Sequence, residues 1–198
     1  KILDTKSKGC CFARRKIQEL MKNEDIFMQI DAHMRFVQNW DTICEEMLLQ
    51  CKSNSPKPII STYLTMCDLH GDFKITHENV PYRMKCDKFY DNIHKVRYIP
   101  EQIPNWTALK SPQKWNTVSA HFIFVESKWI REVPYDEELY FDGEEDDLAL
   151  RSWTNGWDIY YPHKLIGYHY YIRSSEPKHH SVNKDWHILD SSSKKRFS

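Results

Sequence analysis

Phe27-Met28-Gln29-Ile30-Asp31-Ala32-His33 is the stretch on which the fold turns. A short apolar run of strand length, Ile26 to Ile30, ends on a carboxylate, and an imidazole follows two residues later. In extended chain, residues i and i+2 point to the same side. Asp31 and His33 are therefore placed to grip one cation just beyond a strand end. In open α/β sheets, ligands settle in the crevice outside the carboxyl ends of the strands. A carboxylate with an imidazole suits a divalent ion such as Mn2+ better than Mg2+, for which a nitrogen ligand is less natural. An isolated D-x-H is more often a strand end with a solvated Asp and a packed or exposed His, so the surrounding pattern has to decide.

Before this strand, Ala13, Ile17, Leu20 and Met21 fall at helical spacing and predict a helix from Cys11 to Met21, broken by Asn23-Glu24-Asp25. After it, Trp40, Ile43, Cys44, Met47, Leu48 and Cys51 make the clearest amphipathic helix of the chain. Ser53 to Pro56 ends that helix, and Pro58 to Leu64 reads as a second buried strand. From Thr65 to Trp115 periodicity fades and prolines punctuate polar stretches, which predicts a loop-rich insertion over 65–114 with one strand near Val96 to Ile99. A third strand is expected over Val118 to Val125, then a turn at Pro134-Tyr135-Asp136. A helix from Glu144 to Thr154 follows, acidic in its first turn as the helix dipole favours and capped by Gly156. Trp157 to Tyr161 and Leu165 to Tyr168 complete the expected strands, and 191–198 reads as a polar, frayed tail. Helices alternating with short buried strands predict an α/β domain with a largely parallel mixed sheet.

Composition narrows the function. The 198 residues fit one domain, 1–198, with 40% apolar and 14% aromatic residues. Basic and acidic residues number 28 each, so no net field recruits nucleic acid or an anionic membrane. No segment approaches the roughly 20 apolar residues of a membrane span, and the first residues lack the pattern of a signal peptide. Without an initiator Met, the chain is expected to begin inside a longer protein. Six cysteines without CxxC spacing point to a reducing, cytoplasmic setting. His179, His180 and His187 read as solvated, and Trp106 and Trp115 as packing residues sooner than sugar platforms.

Beyond these patterns, Cys11-Phe12-Ala13-Arg14-Arg15-Lys16-Ile17-Gln18 followed by Phe27 to Phe36 resembles the polypeptide N-acetylglucosaminyltransferases, cytoplasmic enzymes that modify a hydroxyproline on an SCF ubiquitin-ligase adaptor. Ile130 to Asp136, Leu139 to Phe141, Gly143 to Glu145, and the run from Leu148 to Ile159 leading to Pro162-His163-Lys164 and His169 are similar to the same family. More distantly, the order resembles the mucin-type N-acetylgalactosaminyltransferases. The resemblance implies a GT-A fold, a UDP-GlcNAc donor, a polypeptide acceptor and retention of configuration. It also implies that His169 is the third metal ligand beside Asp31 and His33. Relative to the family, a first strand that holds uracil and ribose is missing, so the domain is expected to be truncated at its N-terminus.

Physical reasoning sets other residues beside this metal. Arg14 or Arg35 offers a fork of donors to phosphate or carboxylate, or is simply a surface Arg. Glu144 and Glu145 either orient the attacking hydroxyl or serve only as helix-start charges. His121 stands where the family usually has a small residue, and its ring would narrow the donor-sugar pocket. Alternatives are transfer of another UDP-sugar or to a glycan, and a non-catalytic relic of the fold that binds glycan or protein.

Overall fold

The computed structural model describes residues 7–68, 72–90, 95–172 and 183–197. The chain runs α1 (Cys10–Gln18), β1 (Ile26–Ile30), β2 (Met34–Phe36), α2 (Trp40–Lys52), β3 (Pro58–Ser61) and β4 (Thr65–Asp68). It continues with β5 (Lys74–Ile75), β6 (Tyr82–Tyr90), β7 (Lys95–Gln102), β8 (Gln113–Trp115), β9 (Phe122–Glu126) and α3 (Lys128–Glu132). Helix α4 (Glu144–Thr154), β10 (Asp158–Tyr161), β11 (Gly167–His169) and α5 (Trp186–Phe197) close it.

A five-stranded sheet in the order β1-β9-β3-β10-β8 forms the centre. Strand alternation divides its side chains between two cores. Ile59, Ile123, Val125 and Ile159 face one side, with Cys11 of α1, Trp129 of α3, Leu148 of α4 and Trp157. Ile60, Phe122, Phe124 and Tyr160 face the other, packed on Cys44, Met47, Leu48 and Cys51 of α2. Full burial of each such side chain contributes roughly 1.5–3 kcal/mol, so the sheet is held from both faces. This is the α/β layering that the sequence predicts.

The sheets are mixed, but not largely parallel. Only β3-β10 and β4-β11 are parallel ladders among the described residues, and the others run antiparallel. The reason is β9, which enters between β1 and β3 and runs opposite to both. It also starts later than its apolar run suggests. Val118 to Ala120 are buried but turn, with Phe122 N–H donating to Ser119 O at 3.0 Å.

A second sheet, β2-β11-β4-β5, lies beyond the carboxyl ends of the first. Three connections run from the first sheet into the second, β1 to β2, β3 to β4 and β10 to β11, and α2 carries the chain back from β2 to β3. Asp31 and His33 sit on the first crossing and His169 ends β11. Tyr170 N–H donates to His33 O at 3.1 Å, and His169 pairs with Met34 in register. Gly167 permits this approach, because a Cβ there would lie 2.6 Å from Arg35 O.

Helix α4 is bounded by glycines in the left-handed region, Gly143 (φ 90°) and Gly156 (φ 77°). Gly156 N–H donates to Trp153 O at 3.0 Å and Trp157 N–H to Ser152 O at 2.9 Å, the paired bonds of a Schellman stop.

Two stretches are more structured than their sequence suggests. Residues 65–114 carry β4 to β8, including a long antiparallel hairpin of β6 and β7. Strand β6 alternates Tyr82, Met84 and Cys86 with Arg83, Lys85 and Asp87, a strand period that the prolines and polar stretches around it obscure. Residues 191–197 belong to α5 and are not frayed. Buried Ser193 accepts the Tyr140 N–H at 2.6 Å and Arg196 holds Asp136 at 2.6 Å, long-range ties that local polarity conceals. No helix among the described residues is long and apolar enough to cross a membrane. His179 and His180 lie outside the described residues.

Candidate metal centre

Asp31, His33 and His169 converge where the two sheets meet. Their potential ligand atoms all lie within 4.8 Å of one another. Asp31 Oδ2 is 3.2 Å from His169 Nε2 and 3.8 Å from His33 Nε2, and the two imidazoles meet edge to face at 4.4 Å between centroids. Asp31 and His33 are partly exposed while His169 is buried, so the group is anchored on one side and open on the other.

Arg14, on the face of α1 turned to the sheet, holds the other oxygen of Asp31, with Nη2 2.8 Å from Oδ1. Its Nη1 donates to Oε1 of buried Glu144, the first residue of α4. Burial works against the Asp31 charge, but the His169 hydrogen bond and the Arg14 guanidinium outweigh it and hold the carboxyl well below the usual range. Burial likewise opposes the Arg14 charge, and Glu144 more than restores it. Cys10, one turn before Arg14, points its thiol at Glu144 Oε2 from 3.4 Å.

His121 closes the inner wall. Its ring centroid is 4.8 Å from that of His169. Nε2 lies 3.2 Å from the Leu64 N–H, which can only donate, so the ring proton sits on Nδ1 and faces Ser119 Oγ at 2.9 Å. Burial, then the neighbouring His169, pushes its pKa down to about 3 and keeps the ring neutral. Tyr171 stacks on Tyr63 at 4.7 Å, packs 3.9 Å from the His169 ring and donates to Leu64 O at 2.9 Å.

Of the residues singled out in the sequence, the fold thus gathers Arg14, Asp31, His33, His121, Glu144 and His169. Glu145 lies beside them and takes a backbone hydrogen bond from Ala120. Burial and the Glu144 charge raise its pKa above the usual carboxylate range. Arg35 is not gathered. It stands exposed on β2 with Nη1 3.0 Å from Met34 O. Of the two partners weighed for Arg14, phosphate or carboxylate, two carboxylates, Asp31 and Glu144, occupy its fork. Glu144 is spent on Arg14 and so supports the site from behind. Tyr171 escaped notice in the sequence, although it stands two residues past His169, the same spacing that joins Asp31 to His33.

One carboxylate and two imidazoles form a donor set suited to Mn2+ and leave coordination positions for phosphate oxygens. His169 faces Asp31 through Nε2, so this nitrogen is free to hold an ion in place of the contact with Asp31 Oδ2. The residues fit a divalent ion.

The family model for Glycosyltransferase (GlcNAc) matches residues 1–198. The chain belongs to the GlcNAc glycosyltransferase family. The crystal structure of GalNAc-T7 with UDP, GalNAc and Mn2+ is similar to this member, with a TM-score of 0.60 over 83% of the chain at 15% sequence identity. That likeness establishes the GT-A fold for this family member. The chain spans 31% of the length of GalNAc-T7 in that structure. No curated protein sequence matches it.

Proposed function

We propose that this member of the GlcNAc glycosyltransferase family moves N-acetylglucosamine from UDP-GlcNAc to a hydroxyl of a polypeptide, with retention of configuration and with Mn2+ held by Asp31, His33 and His169. The convergence of those three side chains at the carboxyl end of β1 carries the reading. A divalent ion there supplies positive charge to the diphosphate of the leaving UDP.

The protein's own groups divide the remaining work. Arg14 fixes Asp31 so that Oδ2 faces the imidazoles. His121 bounds the space beside His169 where a donor sugar would lie. Glu145, with its raised pKa, is suited to orient the acceptor hydroxyl or take its proton. Glu144 positions Arg14. A donor other than UDP-GlcNAc is a second reading, favoured by the volume that the His121 ring fills. We also propose a reducing, cytoplasmic setting, supported by six free thiols, four of them buried.

The test is transfer of radiolabelled GlcNAc from UDP-GlcNAc to hydroxyl-bearing peptides, hydroxyproline among them, with and without Mn2+. Metal-dependent transfer that disappears in Asp31→Ala is the expected result. Absence of both transfer and metal-dependent release of UDP would overturn the reading.

A further inference from the structure

A second concavity lies outside the metal centre. It is a cavity of about 490 Å³ between α4, the β6–β7 hairpin and the edge strand β8. Phe89 and Tyr98 form one wall, Leu150 and Trp153 the other, and Trp115 closes the end. Several of these side chains present large apolar area to water: Leu150 is 57% exposed, Trp153 72% and Phe89 52%. Contiguous apolar surface rimmed by polar groups marks an interaction site. The rim is more acidic than basic. Asp146 and Asp158 line it against Lys114, and Lys114 already lies 2.6 Å from Asp158. Such a rim repels a nucleotide diphosphate and suits a cationic neighbour to an apolar residue.

Helix α4 joins the cavity to the proposed reaction site, with its last turns lining the one and its first residue reaching the other. That helix opens on Glu144, which holds Arg14, and its Asp146 accepts a hydrogen bond from Tyr98 in the cavity wall. From Glu144 to Trp153 the helix axis advances ~13 Å, the reach of about four extended residues. We infer that this groove seats the acceptor polypeptide beside the modified hydroxyl, taking an apolar residue two to four positions away and a neighbouring Lys or Arg. The inference rests on the transferase reading and gives its acceptor a chemistry: an extended, apolar and basic stretch of chain.

The experiment uses the full chain, immobilised, and a library of blocked octapeptides with one fixed hydroxyproline and all other positions randomised. Retained peptides are sequenced by mass spectrometry and assayed for GlcNAc transfer. Expected is at least tenfold enrichment of Leu, Ile, Phe or Trp two to four positions from the hydroxyproline, with Lys or Arg adjacent. Leu150→Glu and Trp153→Ala, both at exposed positions, should abolish the enrichment with unchanged melting temperature. Should Leu150→Glu melt early, Trp153→Ala decides. The same enrichment in wild type and Trp153→Ala overturns the proposal. So does a dimeric chain that Leu150→Glu renders monomeric, which would make the groove a contact between copies. Groove-dependent retention without any transfer supports the peptide site and counts against the transferase reading. Transfer with unchanged KM in both variants supports that reading and overturns the groove.

Discussion

Arg14 and Asp31 are joined through one carboxylate oxygen, Oδ1, and Oδ2 is left to the imidazoles of His33 and His169. The ion pair thereby orients the Asp31 carboxylate and, with the His169 hydrogen bond, holds its charge. The same guanidinium ties the first residue of α4 to the site, so the helix that ends at the apolar groove begins at the metal centre.

Manganese should therefore stabilise the folded chain by mass action. At a free concentration 100 times its Kd, the gain is about 2.7 kcal/mol, or roughly 5–10 °C in melting temperature for a chain of this size. Asp31→Ala should remove the shift and His33→Ala should weaken it. Calorimetric melts with and without Mn2+ check both, and an undiminished shift in Asp31→Ala would move the metal elsewhere.

Arg14→Met should cost about 3–5 kcal/mol, because it leaves Glu144 buried without its partner and Asp31 without its clamp. Adding Glu144→Gln should recover part of the loss, since the uncompensated buried charge is then gone. Urea unfolding of both single variants and the double gives the coupling directly. Additive losses would show that the pair does not act as a unit.

Glu132 makes the acid limit of stability legible. Hydrogen bonds from Lys57 at 2.7 Å and Trp157 Nε1 at 2.8 Å, with Lys128 at 3.2 Å, bring its pKa down to about 2 against an ordinary 4.5. A depressed pKa means that its contribution is full above pH 4.5 and is lost as pH falls toward about 2. Glu132 is partly exposed, so the contribution is on the order of 1 kcal/mol. Glu132→Gln should thus be less stable than wild type at pH 6, and the gap should close by pH 2. Parallel melts across that range test it.

Much of this was legible in the sequence, for a definable reason. Ile26–Ile30, the helix at Trp40–Lys52 and the helix at Glu144–Thr154 each carry their own signal, in an apolar run, a helical stripe or a bounded acidic start. The gathering of Asp31 with His33 follows from local spacing alone. His169 was placed through the resemblance, because its approach depends on β11 pairing with β2, a contact 138 residues from Asp31 that no local pattern encodes. The β6–β7 hairpin was overlooked although Tyr82, Met84 and Cys86 alternate with charged residues, because its strands lie in a stretch broken by prolines, and α5 hid because what orders it is Tyr140 and Asp136, far away in sequence. Arg14 was found but its partners were not, since its two carboxylates come from different elements.

His121 offers the sharpest check on donor choice. Its ring is fixed by two groups, the Leu64 N–H at Nε2 and Ser119 Oγ at Nδ1, and the Tyr171 ring packs against it edge to face. A ring so held, 4.8 Å from His169, cannot swing aside to admit a bulkier sugar substituent. His121→Gly opens that volume and also leaves the Leu64 N–H without its imidazole acceptor, so a loss of about 1–3 kcal/mol in stability accompanies it. Sites discriminate through volume and through polar groups left unpaired, so the ratio of turnover between UDP-GlcNAc, UDP-GalNAc and UDP-glucose should change in the variant even after correction for the folded fraction. His121→Asn, which retains a polar side chain in a smaller volume, should fall between the two in donor ratio and recover part of the stability. Competition assays with paired donors, each measured alongside a melt, separate the two effects. Donor ratios identical in wild type and both variants would place the sugar away from His121 and leave the ring a purely structural bridge between β9 and the β3–β4 crossing.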